Sequence, residues 1–589
     1  PLMITIGQIN FRFHLLFCFI SLALGSLIYW PGLDAGFFLD DTTSIRDPLV
    51  MSSGGPSGII DRYPMRAIGY LTFWVNYQWF GESPAAFRVV NVVIHWLATL
   101  FVYVFCRRIL SIQSGDHKND VWVAGFAAII FLVHPVQTGA VAYIVQRLAS
   151  LAALFSIMSL TAWLFLRTST RGRLVRGSLL LGFICTLFLA LNTKQNAFTV
   201  IPILILMEVL VLRGISLKNL YIAAGLAGLT ASLTFVIMPE VAAALDSFTR
   251  EAPLISRWDY FSSQWVVLFV YLQKLVWPAP LMLEYGYDMN SFSLFSRYLA
   301  GTAHLLIITV ALWLGRRFPL VTFSILFFYI AHSVESGLIP IRDFAFEHRN
   351  YFPMLGVSLL LGLGLRTALL NLPSGRAQLL GLSVLICSLL SWTTFERNEL
   401  WSNPEEFLKH DVEQSAGSAR ALHNLASWYQ NNGQYDMALA TMRALVRANE
   451  GGLSLTHTTT YISVLLNVGL YSDVLGLASK ILERASNNYE RAIMLRYMGT
   501  AFTGLADDEA AVDTFEEAMM TLQLDYDSGL AYGYSLIQLG RISDAFEHIK
   551  EMRQRFGDRE KLALLAREGD RALRQRRVDG AKSGSDTGP

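Results

Sequence analysis

From residue 13 onward the chain is a succession of apolar runs separated by shorter polar stretches. Runs suited to crossing a bilayer lie near 13–31, 88–106, 121–136, 139–167, 178–192, 196–212, 218–238, 298–315, 319–335, 353–370 and 377–394. A spanning helix needs roughly 20 residues, so the pattern predicts about eleven transmembrane helices, some with short edges. One further apolar stretch, "YFSSQWVVLFVYLQKLVWPAP" at 260–280, is short and closed by two prolines. It reads as a re-entrant or interfacial segment. Near residue 395 the apolar bias stops, and from about 420 the chain reads as repeated amphipathic helix pairs.

Those pairs carry a repeat. "NLASWYQNNGQYDMALATMRALV" places Gly433, Tyr435 and Ala438 at tetratricopeptide positions, and "RYMGTAFTGLADDEAAVDTFEEAM" supplies Gly499, Ala511, Phe515 and Ala518. "AYGYSLIQLGRISDAFEHI" adds Gly533, Gly540 and Ala545, with a degenerate unit around Gly469 and Tyr471. A spacing of about 34 to 37 residues is that of stacked helix pairs, which bury a shared core and leave a concave face. The fold class is therefore all-α: a polytopic membrane domain followed by an α-solenoid. The boundaries are 1–397 for the membrane domain, 398–578 for the repeats and 579–589 for a disordered tail.

Composition supports the division. Hydrophobic residues make up 53% of the 589 and charged residues only 16%. The net charge of +1 and the lack of a basic tract with interleaved aromatics give no footprint for nucleic acid. Cys18, Cys106, Cys185 and Cys387 all fall in apolar runs without CxxC spacing, which argues against disulfides and a cysteine metal site. The first run lacks a small-residue cleavage site and reads as a retained helix.

Charge fixes the sides. Starting with the N-terminus inside, the inner loops are "RRILSIQSGDHK", "RTSTRGRLVRG", "RGISLK", "GRRF" and "RTALLNLPSGR", which are rich in Arg and Lys and hold one acid, Asp116. That asymmetry marks the cytoplasmic side. The long polar loops and the repeats then share the outer face with the acid pair of "GFFLDDTTSIRDP", Asp40 and Asp41. Arg147, Lys194 and His134 sit at the ends of apolar runs on that same face. Ionisable groups at membrane depth are expensive and mark sites. His134 before Pro135 has the alternative reading of a structural cap. His95 and Asn91 share one face of the second span, where helix–helix hydrogen bonding is the favoured role. Trp74, Trp79 and Trp265 suit interface anchors.

Six stretches in order, "FFLDDTTSIRDP", "RAIGYLTFWVNYQWFGESPAAFRVVNVVIHWL", "LVHPVQTGAVAYIVQRLASLAALF", "NTKQNA", "YLQKLVWPAPLMLEY" and "IPIRDFAFEHRNYFPMLG", resemble the GT-C glycosyltransferases. The closest likeness is to transmembrane-and-tetratricopeptide O-mannosyltransferases and their bacterial relatives. Two departures stand out: Gly139 and Gln195 occupy positions where the family pattern has acids.

The resemblance implies transfer of a sugar from a polyprenyl-phosphate carrier to an acceptor hydroxyl, with protein Ser or Thr expected, on the outer face. It implies an outer-loop general base, Asp40 or Asp41, the other acid positioning sugar or acceptor. The competing role for the pair is to mark a loop and cap a helix. Departing phosphate calls for Arg or Lys. Arg349 is the first candidate, beside Glu347 and Tyr351, with Arg66, Arg147, Lys194 and Arg342 in support; His134, Glu284 and Tyr285 are further donor contacts. No metal-ligand spacing is visible, although outer acids could hold a divalent cation with the phosphate. The expected partners are the lipid-linked donor, membrane lipids and a protein acceptor held by the repeats. The expected setting is a bacterial inner membrane, with the repeats periplasmic. Transfer to a glycan or lipid, or a non-catalytic scaffold for envelope proteins, are the rival functions; a transporter fits worst.

Overall fold

The computed structural model describes all residues except 1, 52–54, 114–116, 214–254, 289, 373–374, 450–451, 486 and 584–589. Among the described residues every regular element is helical. The chain divides into two compact units, Pro1–Ser415 and Ala416–Pro589.

The principal helices of the first unit are α1 (Leu2–Tyr29), α2 (Pro84–Gln113), α3 (His117–Val133), α4 (Arg147–Thr168), α5 (Arg173–Leu191), α6 (Val200–Leu210), α7 (Arg257–Val276), α8 (Leu294–Leu314), α9 (Pro319–His332), α10 (Met354–Asn371), α11 (Arg376–Ser402) and α12 (Pro404–Gln414). Seven helices are long and apolar enough to cross a membrane, or up to eight if a bent pair, Asp120–Val133 and Pro135–Val141, counts as one span. Two expected spans, 196–212 and 319–335, are shorter apolar helices, and 218–238 lies outside the described residues. The run at 139–167 is not one helix: a short turn of helix at Thr138–Val141 and a 3-10 turn at Ile144–Gln146 precede α4.

Two acids buried within the bundle are paired. Glu208 on α6 takes Arg167 at 2.7 Å and the Trp163 indole at 2.8 Å, and Asp120 faces Arg366 at 3.5 Å.

Residues 260–280 do not turn back on themselves: α7 is a single helix of 20 residues. One stripe of it is fastened to neighbouring turns. The Tyr260 hydroxyl donates to the Glu335 carbonyl at 2.7 Å and the Gln264 amide to the Phe344 carbonyl at 3.0 Å. The Phe346 N–H donates to the Tyr271 hydroxyl at 3.0 Å, and the Leu275 carbonyl lies 3.1 Å from His134 Nε2. No break interrupts the helix, so the re-entrant alternative fails.

The first unit continues past 397. α11 runs to Ser402, and α12 buries Phe407, Leu408 and Asp411. At the same end, Thr394 donates to the Val133 carbonyl at 2.6 Å and Asn398 to Ile28 at 3.0 Å, which fixes α11 against α3 and α1.

The second unit is a stack of helices from Ala419–Asn431 to Glu560–Ser583. Ser418, Ser454, Asn487, Asp507 and Asp525 each cap a helix by accepting the N–H three residues on, satisfying donors that a helix start leaves free. Ala438, Ala511, Phe515, Ala518 and Ala545 are buried. Gly499 must stay small because a Cβ there would meet the Phe515 ring at 2.8 Å. The last helix reaches Ser583, so residues 579–583 of the expected tail are helical.

Candidate active site

The turns at one end of the bundle are knitted into a single polar cluster. Its first part is the acid pair. The two carboxylates have different environments although they are neighbours. Asp41 is fully buried, accepting the Phe38 N–H at 3.1 Å and the Val145 N–H at 2.7 Å. Buried Arg88 ties the preceding segment to the turn before α4 by donating to Ala35, to Gly36 and, at 2.9 Å, to Ala142. Asp41 thus ties the acid-bearing loop to the turn before α4. Asp40 is exposed. Its N–H donates to the Tyr143 hydroxyl at 3.1 Å. Leu39, between Phe38 and the acids, has φ +36° and ψ −109°, a sparsely populated conformation that costs about 1–3 kcal/mol and that the surrounding bonds must hold.

The second part joins the basic candidates. Arg66 Nε donates to Gln195 Oε1 at 3.3 Å, and the next residue, Lys194, pairs with Glu335 at 2.9 Å. Arg349 lies on the other side of Glu335. Its guanidinium donates to the carbonyls of Phe344 at 3.1 Å and Asp343 at 2.7 Å. Burial burdens the Glu335 carboxylate, yet Lys194 and then Arg349 hold it below its ordinary value.

The third part centres on Glu347. Its Oε1 accepts the Met282 N–H at 2.6 Å and the Tyr285 hydroxyl at 3.0 Å. Asp411, from α12, accepts the next two N–H groups, Leu283 at 2.6 Å and Glu284 at 2.9 Å. Three consecutive amides are therefore clamped by two carboxylates. Arg397, near the end of α11, acts on both carboxylates.

Several expected residues turn inward. Arg147, at the head of α4, donates to Asn91 at 2.7 Å, Asn76 at 2.9 Å, and the carbonyls of Phe87 at 2.8 Å and Thr72 at 3.2 Å. It lies over the rings of Phe73 and Phe87. A guanidinium so saturated has no fork left for a phosphate. His134 accepts the Val136 N–H and bonds Leu275, which is the structural cap. The Tyr351 hydroxyl is 2.8 Å from His95 Nδ1. Arg342 is exposed. The second family departure, Gly139, packs on Glu347: a Cβ would meet Glu347 Cβ and His348 N at 3.6 Å.

Among the described residues no three His, Cys, Asp or Glu side chains are grouped to hold a metal ion. Asp411 spends both carboxylate oxygens on N–H donors, so it has none left for a cation.

Burial raises three of these acids: Asp41 to about 7, Glu347 to about 7 and Asp411 to about 6. Hydrogen bonds and the nearby arginines only partly offset it. A carboxyl raised on folding holds its proton more tightly in the native state. Its contribution to stability is present at low pH and lost as pH climbs to the folded value. The stability of the wild type relative to Glu347→Gln should therefore fall from pH 5 to pH 8, as read from thermal unfolding in one detergent. A difference that stays flat would mean Glu347 titrates normally.

Sequence comparison places these features. No family model matches the chain, and no solved structure matches it significantly. Curated relatives do. Protein O-mannosyl-transferase F38B6.6 of Caenorhabditis elegans is 24% identical over 441 residues, 70% of this chain and 60% of that protein. Human protein O-mannosyl-transferase TMTC3 is 26% identical over 215 residues, 33% of this chain and 22% of that protein. Drosophila melanogaster protein O-mannosyl-transferase Tmtc1 is 31% identical over 202 residues, 32% and 22% of the two chains. The chain thus spans at most 60% of the length of these relatives. With its apolar helices, it is an integral membrane protein whose homologues are the transmembrane-and-TPR protein O-mannosyltransferases, as its ordered motifs implied.

Proposed function

We propose that the chain is a membrane glycosyltransferase that moves a sugar from a polyprenyl-phosphate carrier to a Ser or Thr hydroxyl of a protein, with Asp40 as general base. The observation that carries the assignment is the contrast within the acid pair. Asp41 is consumed by backbone N–H groups, while Asp40 keeps an exposed carboxylate beside the Tyr143 hydroxyl. The names of the relatives support a protein acceptor and make mannose the expected sugar.

In the proposed step the acceptor hydroxyl gives its proton to Asp40 as its oxygen attacks the anomeric carbon. The bond from that carbon to the phosphate oxygen breaks, and its electron pair leaves with the phosphate. Arg66 and Lys194, bonded to Gln195 and Glu335 respectively, offset the charge that develops. Arg349 serves this reading by holding the 343–349 turn. Inversion at the sugar follows from the resemblance. The repeats hold the acceptor, and the cluster faces the periplasm of a bacterial inner membrane.

Tyr143→Phe should slow transfer by up to about tenfold, the worth of one hydrogen bond of roughly 0.5–1.5 kcal/mol, with folding kept by the ring's stacking on Trp401 at 5.9 Å. An unchanged rate would remove Tyr143 from the positioning of Asp40. The central test incubates full-length protein in detergent with tritiated polyprenyl-phosphate mannose and envelope proteins. Label released from protein by β-elimination supports the proposal. Label in glycan or lipid would favour those acceptors, and no transfer by a folded sample would favour the scaffold.

A further inference from the structure

Arg397 is the cation that the rest of the cluster leaves unused. It sits near the end of α11, one turn before Trp401, and only 7% of it is exposed. An arginine at such depth ordinarily spends its donors on carbonyls or carboxylates, as Arg88, Arg147 and Arg349 do here. Among the described residues Arg397 makes neither a hydrogen bond nor an ion pair, and its Nε is sealed from solvent without a partner. Its single close contact of note is the face of Phe407, 4.8 Å from the guanidinium carbon. Glu347 and Asp411 feel its charge, yet Glu347 Oε1 and both oxygens of Asp411 are given to the amides of 282–284.

A buried charge without hydrogen bonds is costly, so a side chain kept in that state points to a ligand that completes it. The guanidinium is a planar fork suited to two oxygens of a phosphate. The surroundings fit the same ligand. Phe407 lies tilted against Trp401 at 4.2 Å, Phe38 contacts both, and Trp401 stacks on Tyr143, which holds Asp40. Arg397 is thus joined to the loop of the proposed base through one aromatic layer. With Nε sealed, the Nη edge is the part of the fork that a ligand can reach.

We infer that Arg397 receives a phosphate oxyanion at this site, through its unpartnered guanidinium between the Glu347–Asp411 clamp and the Trp401–Phe407 layer. The inference rests on the proposed phosphate-linked donor for its substrate, but it assigns a residue which that proposal does not use.

The test measures binding of a polyprenyl phosphate to full-length wild type, Arg397→Lys and Arg397→Met in the same nanodiscs, with inorganic phosphate as a second probe. Arg397→Lys keeps the charge and loses the fork; at least a tenfold weaker affinity is expected. Arg397→Met should weaken binding further while unfolding at the same temperature as wild type or higher, because it removes an unpaired buried charge. Wild-type affinity in Arg397→Lys would overturn the assignment and leave the donor proposal standing. Marked destabilisation by Arg397→Met would also overturn it, showing a structural counter-charge for the two acids. Failure of wild type to bind either probe would sink both readings. Binding of the lipid alone identifies a lipid headgroup as the ligand, whereas equal protection by inorganic phosphate identifies the free ion.

Discussion

Asp40→Asn protein is expected to bind the lipid donor as wild type does and to transfer sugar about 10²- to 10⁴-fold more slowly, the usual contribution of a general base. The substitution is nearly isosteric at an exposed position, so the unfolding temperature should not move. It keeps the backbone N–H that donates to Tyr143. Asp41→Ala is the contrasting case. It leaves the amides of Phe38 and Val145 without their acceptor and removes a carboxylate that Arg88 and Arg147 both feel, so it should lose folded protein rather than turnover alone. Rates, donor affinities and melting curves for the two variants in one detergent separate these effects. An Asp40→Asn enzyme with wild-type turnover would end the role of this carboxylate as base.

Arg147→Met should fail to accumulate as a folded protein. The change strands acceptors on Asn91, Asn76, Phe87 and Thr72 within the bundle, each at about 1–3 kcal/mol. Together these losses rival a total stability of about 5–15 kcal/mol. Arg147→Lys reaches fewer of those acceptors and should melt well below wild type. Monodispersity on size exclusion and the melting temperature decide the matter. A stable Arg147→Met protein that loses only donor binding would return this residue to the phosphate site.

The sequence made the architecture legible because it is written in period and length. Apolar runs, tetratricopeptide spacing and the ordering of motifs all survive without coordinates. It also made legible which ends of the apolar runs carry ionisable groups, and these are bonded to other turns: Asp41 to the Val145 amide, Arg66 to Gln195, Lys194 to Glu335, Tyr285 to Glu347. What the residue types could not reveal is whether a donor is already spent. Arg147, Arg349 and Arg397 are alike on paper. The first two are bonded to acceptors contributed by distant segments or by a folded-back turn, and the third is not. Arg397 also escaped notice because it follows the apolar run of α11 directly and reads as the charged end of a helix. The signal that could have found it is the spacing to Trp401, which stacks an aromatic one turn beyond a cation at the edge of the membrane.

The four attachments of α7 fall at 260, 264, 271 and 275, which is one line along a helix. Each can be replaced singly at the cost of one bond. Their register cannot. An extra residue between 264 and 271 would rotate everything after it by about 100° and carry Tyr271 and Leu275 away from Phe346 and His134 together. Length, more than side-chain identity, is what this segment must preserve, and related chains should differ there by exchange of residues and not by insertion or deletion.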